Sequence, residues 1–567
     1  MTSGELEPQA RTGLRYAILC IVSGLLTALA FSTHSTGWVV WVSFVPWLYV
    51  LFRQQAKAST YAWYSWIFGM SFYIGVIHWL KELHPLTWLP GVTIPTSLAI
   101  VYGGIFGISL VVSLWTALMG GILGALKPSG WRLVVYPALL WILMEYAQEL
   151  GELSLPWARL AISQYQNLWL LQIVPHTGQL LISGLIIAFN AALAKFLLEF
   201  VPEAKPKAYW HYPGFRALLV VAGLVSANLI YGAQRLSQAP DPEQQDAKGI
   251  YVSLAQGNIP QGQKWDQVDP FKHLLEIEKI YLDLSYEAIK NGPDLQTEKQ
   301  PGLIVWPESA VPLMLRDRDD VNPQYSQVLL STRQHYQQLA HDGQRYFISG
   351  AFDQPDAKSS YFNAALLTEP GGKMEQWYYK RQLVPFGEYF PYRAQLESIP
   401  VLGGLVAKLN PMESDTGRGK DAALFQTDFG KLGTLICFES VYPHVARDSV
   451  KAGANLLVII TNDGWYRDAI ALYQHLGHGV LRALENQRYV VRAGNTGITA
   501  FIDEYGRVLA QTKPLERTQL SRMVSKQSLH SNLTLATQWG DWMIWVALLA
   551  LIGCEILGLT MKPINDM

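Results

Sequence analysis

Lys431-Leu-Gly-Thr-Leu-Ile-Cys-Phe-Glu-Ser440 is the stretch on which the reading of this chain turns. Its apolar run reads as a buried strand that stops at a thiol, Cys437, followed by a carboxylate, Glu439, and a helix start. A strand end opening into a turn is where an α/β domain presents a nucleophile. Of the three cysteines, Cys20 and Cys554 fall in long apolar stretches, so Cys437 has no disulfide partner in its own domain. A lone thiol in that position points to reactivity rather than stapling.

Two upstream motifs have the same character. Val305-Trp-Pro-Glu-Ser309 carries an acid, Glu308, and Trp377-Tyr-Tyr-Lys-Arg381 an amine, Lys380, each close to the end of a strand-like run. Intervals of 72 and 57 residues put Glu308, Lys380 and Cys437 on different elements, as a convergent site requires. A free thiol titrates near about 8.5 and needs help at neutral pH. Glu308 is suited to take its proton as general base, and Lys380 to stabilise the thiolate or an oxyanion together with a backbone N–H near Phe438. Singly, each has a plainer account: a small core residue, a helix cap after Pro307, a solvated edge-strand charge. Together they predict a covalent acyl-transfer site.

Around these motifs, residues 249–520 alternate strand-like and helix-like blocks. Strands are expected at 251–256, 302–306, 346–351, 363–368, 432–437 and 455–461, and helices at 271–291, 323–340, 441–452 and 472–492. The runs 497–502 and 508–511 read as a hairpin. The linker Ser237-Gln-Ala-Pro-Asp-Pro-Glu-Gln-Gln-Asp246 separates this α/β domain from what precedes it.

Residues 1–234 are a succession of apolar stretches long enough to cross a bilayer as helices, near 15–32, 37–53, 62–80, 98–125, 132–148, 179–199 and 215–232, with another near 541–560 in the C-terminal segment 521–567. One such stretch alone reads equally as a core helix, and the first as a signal peptide; seven in succession, with no cleavage pattern after Ser32, predict a multi-pass membrane protein. Basic residues gather on alternate connections, at Arg11, Arg15, Arg53, Lys57, Lys127, Arg132, Lys195, Lys205, Lys207 and Arg216. By the positive-inside rule the N-terminus is cytoplasmic and the large domain lies outside. A net charge of −1 gives no basic patch for nucleic acid.

Other features stay open. Residues 385–409 are rich in apolar side chains, including Phe386, Tyr389, Phe390 and Tyr392, and either meet lipid or pack under the domain. His475 and His478 lack a third metal ligand, which favours a polar helix face over a metal site. Glu145, at the outer end of the fifth stretch, either lines a lipid entrance or snorkels.

The three motifs resemble the Glu-Lys-Cys triad of the nitrilase superfamily, and with the membrane stretches the whole chain resembles the bacterial apolipoprotein N-acyltransferases. Gln256-Gly-Asn-Ile-Pro260 with Trp265, Val384-Pro-Phe-Gly-Glu388, Thr461-Asn-Asp-Gly-Trp465 and Arg492-Ala-Gly-Asn-Thr-Gly-Ile498 extend the match. The resemblance implies about eight transmembrane helices and an extracytoplasmic α/β domain built as a nitrilase-like αββα sandwich. It assigns catalysis to Glu308, Lys380 and Cys437, with Glu388, Trp265, Phe438 and Glu439 in substrate-binding or supporting places. Phe438 stands where family members often carry Tyr, so no hydroxyl is available there.

The implied reaction has two steps: Cys437 takes an acyl chain from a phospholipid as a thioester, then passes it to the α-amine of an apolipoprotein's N-terminal diacylglyceryl-cysteine. No cofactor or metal is called for, and a monomer in the bacterial cytoplasmic (inner) membrane is expected. Two other readings keep the residues but change the outcome. One is a membrane-anchored amidase or hydrolase in which water resolves the thioester, the other a non-enzymatic scaffold.

Overall fold

The computed structural model describes residues 8–560 except 33–34, 55, 87–90, 201–207, 243–248, 265–269, 296–300, 317–322, 357–358, 400–414 and 468. Trp265 and residues 400–409 of the apolar 385–409 segment lie outside the described residues.

Every predicted apolar stretch is helical. The helices are α1 (Pro8–Leu29), α2 (Val45–Arg53), α3 (Ala58–Ile77), α4 (Ile94–Leu126), α5 (Arg132–Ala147), α6 (Leu180–Glu199) and α7 (Pro213–Ser237), with Met543–Thr560 near the C-terminus. By length and composition, four among the described residues are long and apolar enough to cross a membrane, namely Arg11–Leu29, Ile94–Leu126, Leu180–Glu199 and Pro213–Ser237. The others are shorter or dense in aromatic and polar residues: Met543–Leu557 is a short apolar helix, and α5 has Pro137 inside it.

Small and hydroxylated residues let the helices approach one another. A methyl at Gly69 would meet Thr116, and one at Gly120 would meet Ser65, so α3 and α4 touch nearly backbone to backbone. Thr116 Oγ1 donates to the Ser65 carbonyl at 3.0 Å. Asn190 on α6 donates to the Val40 carbonyl at 2.9 Å and accepts the Phe44 N–H at 3.0 Å, so its buried amide is satisfied. Leu219, Val220, Leu224 and Ile230 on α7 are exposed, as are Tyr102, Phe106, Leu114 and Leu118 on α4. Such continuous apolar faces suit hydrocarbon rather than water.

The α/β domain is two six-stranded sheets face to face. Their strands are β1 (Gly249–Gln256), β2 (Gly302–Val305), β3 (Tyr346–Asp353), β4 (Phe362–Thr368), β5 (Gln376–Tyr379), β6 (Leu424–Thr427), β7 (Gly430–Ile436), β8 (Leu456–Thr461), β9 (Tyr489–Gly494), β10 (Ala500–Ile502), β11 (Val508–Gln511) and β12 (Thr518–Ser525). The orders are β12-β1-β2-β3-β4-β5 and β11-β10-β9-β8-β7-β6. In each, three parallel strands form the centre, β1, β2 and β3 in one and β7, β8 and β9 in the other. Val252, Leu303, Val305, Ile348, Ile436, Val458 and Val491 fill the space between the sheets. Helices Pro270–Asn291 and Pro323–Gly343 cover the outside of the first sheet, completing the αββα layering.

The second sheet is covered by Pro443–Lys451 and Ala471–Asn486, and this layer does not end at the domain. Val445, Leu472, Leu476 and Val480 belong to one continuous apolar core with Trp157, Leu160, Leu171 and the helices of the N-terminal region. Helix 472–492 as predicted is too long. It ends at Asn486, Gln487 turns the chain with φ 46°, and 489–494 become β9 at the sheet centre. Buried on both faces, β9 has no alternation to distinguish it from a buried helix end. The short edge strands β5 and β6 and the half-exposed β12 carry equally weak patterns.

Candidate active site

The site lies at the carboxyl ends of strands from both sheets, where α/β folds leave their backbone open to ligands. Glu308 follows β2, Lys380 follows β5, and Cys437 follows β7. The turn after β2 packs on β3 so closely that a methyl at Gly350 would strike the Pro307 carbonyl and the Glu308 Cα. Cys437 itself has φ 53°, in the left-handed region that costs a side-chain-bearing residue energy. Ile436 is extended at φ −99° and ψ 110°, so the strand turns sharply at the thiol.

Lys380 Nζ donates to Glu308 Oε1 at 3.2 Å and to Glu388 Oε1 at 2.9 Å. Asn363 on β4 links the same two carboxylates, donating at 2.8 Å to Glu308 and 2.9 Å to Glu388. The Asn462 N–H binds Glu308 Oε2 at 2.9 Å, and the Val384 N–H binds Glu388 Oε2 at 2.8 Å. Burial would raise the Glu308 carboxyl, but Lys380, Asn363 and Asn462 together hold it below the ordinary carboxylate range. Burial likewise opposes the Lys380 cation, and Glu308 and Glu388 overcome it, holding the ammonium well above the usual lysine value. Cys437 is in electrostatic reach of both Glu308 and Lys380; burial first, then the Glu308 charge, pushes its thiol up. At rest the group is carboxylate, ammonium and neutral thiol, so a proton must leave sulfur as it reacts, and Glu308 is the ionised acceptor nearby.

Glu439 ties two strand ends together. It accepts the Tyr378 hydroxyl at 2.9 Å, the Arg381 N–H at 2.6 Å, the Gln382 N–H at 3.2 Å and the Ile436 N–H at 2.7 Å. Phe438 is buried between Trp157, with centroids 6.3 Å apart, and Tyr442, at 5.2 Å. The Phe386, Tyr392 and Ile399 side chains of the apolar segment are exposed, whereas Tyr389 is buried and its hydroxyl donates to the Glu152 carbonyl. The described part of that segment is thus both anchored and outward-facing.

Two expectations are corrected. His475 and His478 do not form a polar helix face: both are fully buried, because their helix is enclosed between the second sheet and the N-terminal region. His475 bonds Asp463 Oδ1 at 2.9 Å and His478 packs 5.4 Å from the Trp157 ring. Glu145 does not snorkel but is buried. Its Oε1 accepts the Trp141 indole N–H and the Leu160 N–H, each at 2.9 Å. Among the described residues no three His, Cys, Asp or Glu side chains group as metal ligands.

Sequence reasoning gave no role to Asn363 or Lys264, had Asp463 only within a matching motif, and weighed His475 only as a metal ligand or part of a polar helix face. Asn363 had one visible signal, a polar amide opening an otherwise apolar strand. Lys264 has its Nζ buried with no hydrogen-bond partner among the described residues, and burial draws its amine down to about 7 against the pull of Glu308.

Both parts of the chain match known families. Residues 252–529 match the carbon-nitrogen hydrolase family, and residues 23–192 match the apolipoprotein N-acyltransferase N-terminal domain. The chain is 30% identical over 533 residues to the apolipoprotein N-acyltransferase of Geobacter metallireducens, covering 93% of this chain and 92% of that one. It is 31% identical over 558 residues to that of Gloeobacter violaceus, covering 96% and 95%. Saccharomyces cerevisiae Nit3, a nitrilase-superfamily member, aligns at 14% identity and a TM-score of 0.37 over 50% of this chain and 92% of its own. With nearly full-length matches in both directions, the chain belongs to the apolipoprotein N-acyltransferase family.

Proposed function

We propose that this membrane protein is an N-acyltransferase of lipoprotein maturation and that Glu308, Lys380 and Cys437 are its catalytic residues. The observation that carries the reading is the ionised Glu308–Lys380 pair within electrostatic reach of a buried thiol at a strained strand end.

In the first step Cys437 Sγ attacks the sn-1 ester carbonyl of a phospholipid while its proton passes to Glu308. Lys380 and the Phe438 N–H stabilise the oxyanion. Collapse breaks the ester C–O bond, and Glu308 returns the proton to the leaving lysophospholipid oxygen. In the second step the α-amine of a diacylglyceryl-cysteine attacks the thioester and gives a proton to Glu308, which passes it to Sγ as the C–S bond breaks, regenerating the thiol and the carboxylate. Glu388 holds Lys380 in line, Phe438 packs behind the nucleophile, and Glu439 fixes the two strand ends. A supporting place is proposed for Trp265 as well.

Both substrates are lipids, and the outward apolar faces of α4 and α7 fit a chain embedded among them. We place the protein in the bacterial inner membrane as a monomer with about eight crossings. The helical part is placed at 1–234 and the catalytic domain at 249–520, with its last strand β12 running on to Ser525, and the last helix, within 521–567, returns through the bilayer.

Mass spectrometry of the purified protein after incubation with phospholipid alone tests the reading. An acyl adduct on Cys437, discharged by a diacylglyceryl-cysteine peptide to give an amide, is the expected result. Discharge chiefly to free fatty acid would make it a hydrolase, and an unmodified Cys437 would remove it from the mechanism.

A further inference from the structure

Beside the Glu308–Lys380–Glu388 cluster, a second buried polar chain meets the Cys437 backbone. Arg492 donates to Asp463 Oδ2 at 2.8 Å, and His475 Nδ1 to Asp463 Oδ1 at 2.9 Å. His475 Nε2 then stands 3.1 Å from the carbonyl oxygen of Cys437 and 2.9 Å from Ser440 Oγ. Ser440 Oγ donates to that same carbonyl at 2.9 Å. Arg492, Asp463, His475 and Ser440 are all nearly inaccessible. Space for Asp463 is kept by Gly497, where a methyl would stand 2.2 Å from Oδ2. Burial would raise the Asp463 carboxyl, but Arg492 and His475 hold it below its ordinary value, so it is a fixed anion.

The Cys437 carbonyl can only accept, so a hydrogen bond from Nε2, with Nδ1 also donating to the Asp463 anion, requires the imidazolium form of His475. In a trans peptide the C=O and the following N–H point in opposite directions. Two donors holding the Cys437 carbonyl on the interior side therefore aim the Phe438 N–H the other way, toward the reacting thiol. That N–H lies in the first turn of a 3-10 segment and donates to no backbone carbonyl among the described residues.

Resting on Cys437 as nucleophile, we propose that His475, oriented by Asp463 and assisted by Ser440, is a positioning residue that locks the Cys437–Phe438 peptide so that the Phe438 N–H serves the oxyanion. With Ser440 and the Glu439 bond to the Ile436 N–H, it also helps to stabilise the left-handed backbone at Cys437.

The test compares two reactions of the same thiol in the full-length, detergent-solubilised protein. Thioester formation from diacyl phospholipid micelles builds an oxyanion; alkylation by iodoacetamide, at a saturated carbon, does not. His475→Asn keeps an amide facing Asp463 but cannot reach the Cys437 carbonyl. It should slow single-turnover thioester formation on the order of tenfold to a hundredfold, part of the loss seen when an oxyanion donor is removed. Alkylation should change by less than about threefold, since it draws on no such donor. His475→Gln, whose longer amide reaches the place of Nε2, should recover most of the lost rate, and Ser440→Ala should show the same split more weakly. Equal losses in both reactions, or undiminished thioester formation in His475→Asn, would overturn the proposal while leaving the active-site reading intact. Acyl transfer that continues after Cys437 is fully alkylated would overturn both.

Discussion

Lys380→Met is the perturbation whose consequences the geometry defines most fully. Its ammonium is 1% exposed and lies between two carboxylates, at 3.2 Å from Glu308 and 2.9 Å from Glu388. Methionine keeps most of the stem volume but removes the cation. Glu308 and Glu388 then share only Asn363, and two anions face each other in a dry site. Breaking one partner out of a buried ion pair costs roughly 3–5 kcal/mol, so the variant should unfold at visibly lower temperature. Catalysis loses about 3–4 kcal/mol of oxyanion stabilisation, a rate loss of a hundredfold or more.

The two losses separate by pH and by a second change. In the native protein Glu308 is held below its unfolded value, so its contribution to stability is present above about pH 4.5 and lost as pH falls through the folded value. Without Lys380 the buried Glu308 carboxyl rises above its unfolded value, the sign reverses, and the variant should gain stability on going from pH 8 to pH 5. Adding Glu388→Gln should restore most of the melting temperature and none of the activity. Thermal unfolding in detergent and single-turnover acylation of Cys437 by mass spectrometry measure both effects. Near-normal acylation in Lys380→Met would refute the electrostatic role.

Cys437→Ser should abolish turnover, since the serine hydroxyl is a poorer nucleophile and its proton far harder to remove, whereas Cys20→Ala and Cys554→Ala should be nearly silent in the same acyl-transfer assay. Phospholipid alone should release about one equivalent of lysophospholipid per protein, with further release only on adding an amine acceptor; an absolute need for acceptor in the first release would exclude a thioester intermediate. Because Glu308 must be ionised and is held low, thioester formation should keep its neutral-pH rate down to about pH 5 and fall only below about 4.5; an acid limb near pH 6.5 would assign the base elsewhere. Glu439→Gln puts an amide where four donors converge and should cost about 1–3 kcal/mol in thermal unfolding, with a smaller effect on the rate of alkylation of Cys437.

What the sequence discloses and what it hides follow physical lines. Strands such as 251–256 and 432–437 are legible because apolar runs end in turn residues, and the apolar helices because twenty-residue stretches have few other uses. β9 is not, since a strand buried on both faces carries no period of two and follows a helix through one left-handed residue. Glu308, Lys380 and Cys437 are each marked by a charge or thiol at the end of an apolar run. Asn363 and His475 act through partners 55 and 38 residues away in sequence, on Glu308 and Cys437, and no local pattern encodes such pairings.

The charges around the thiol also explain why it is not simply a low-pKa cysteine. A standing thiolate would be the form that oxidants and electrophiles attack. We place this thiol on the oxidising side of the membrane, where that exposure is continuous. Burial and the Glu308 charge keep Cys437 protonated, while the Lys380 cation is already neutralised by Glu308 and Glu388. Only an ester carbonyl entering the site creates a negative oxygen for Lys380 and the Phe438 N–H to stabilise. That gain draws the proton from sulfur to Glu308. Reactivity is thereby tied to the arrival of an acyl group, and the same arrangement returns the neutral thiol once the amide has formed.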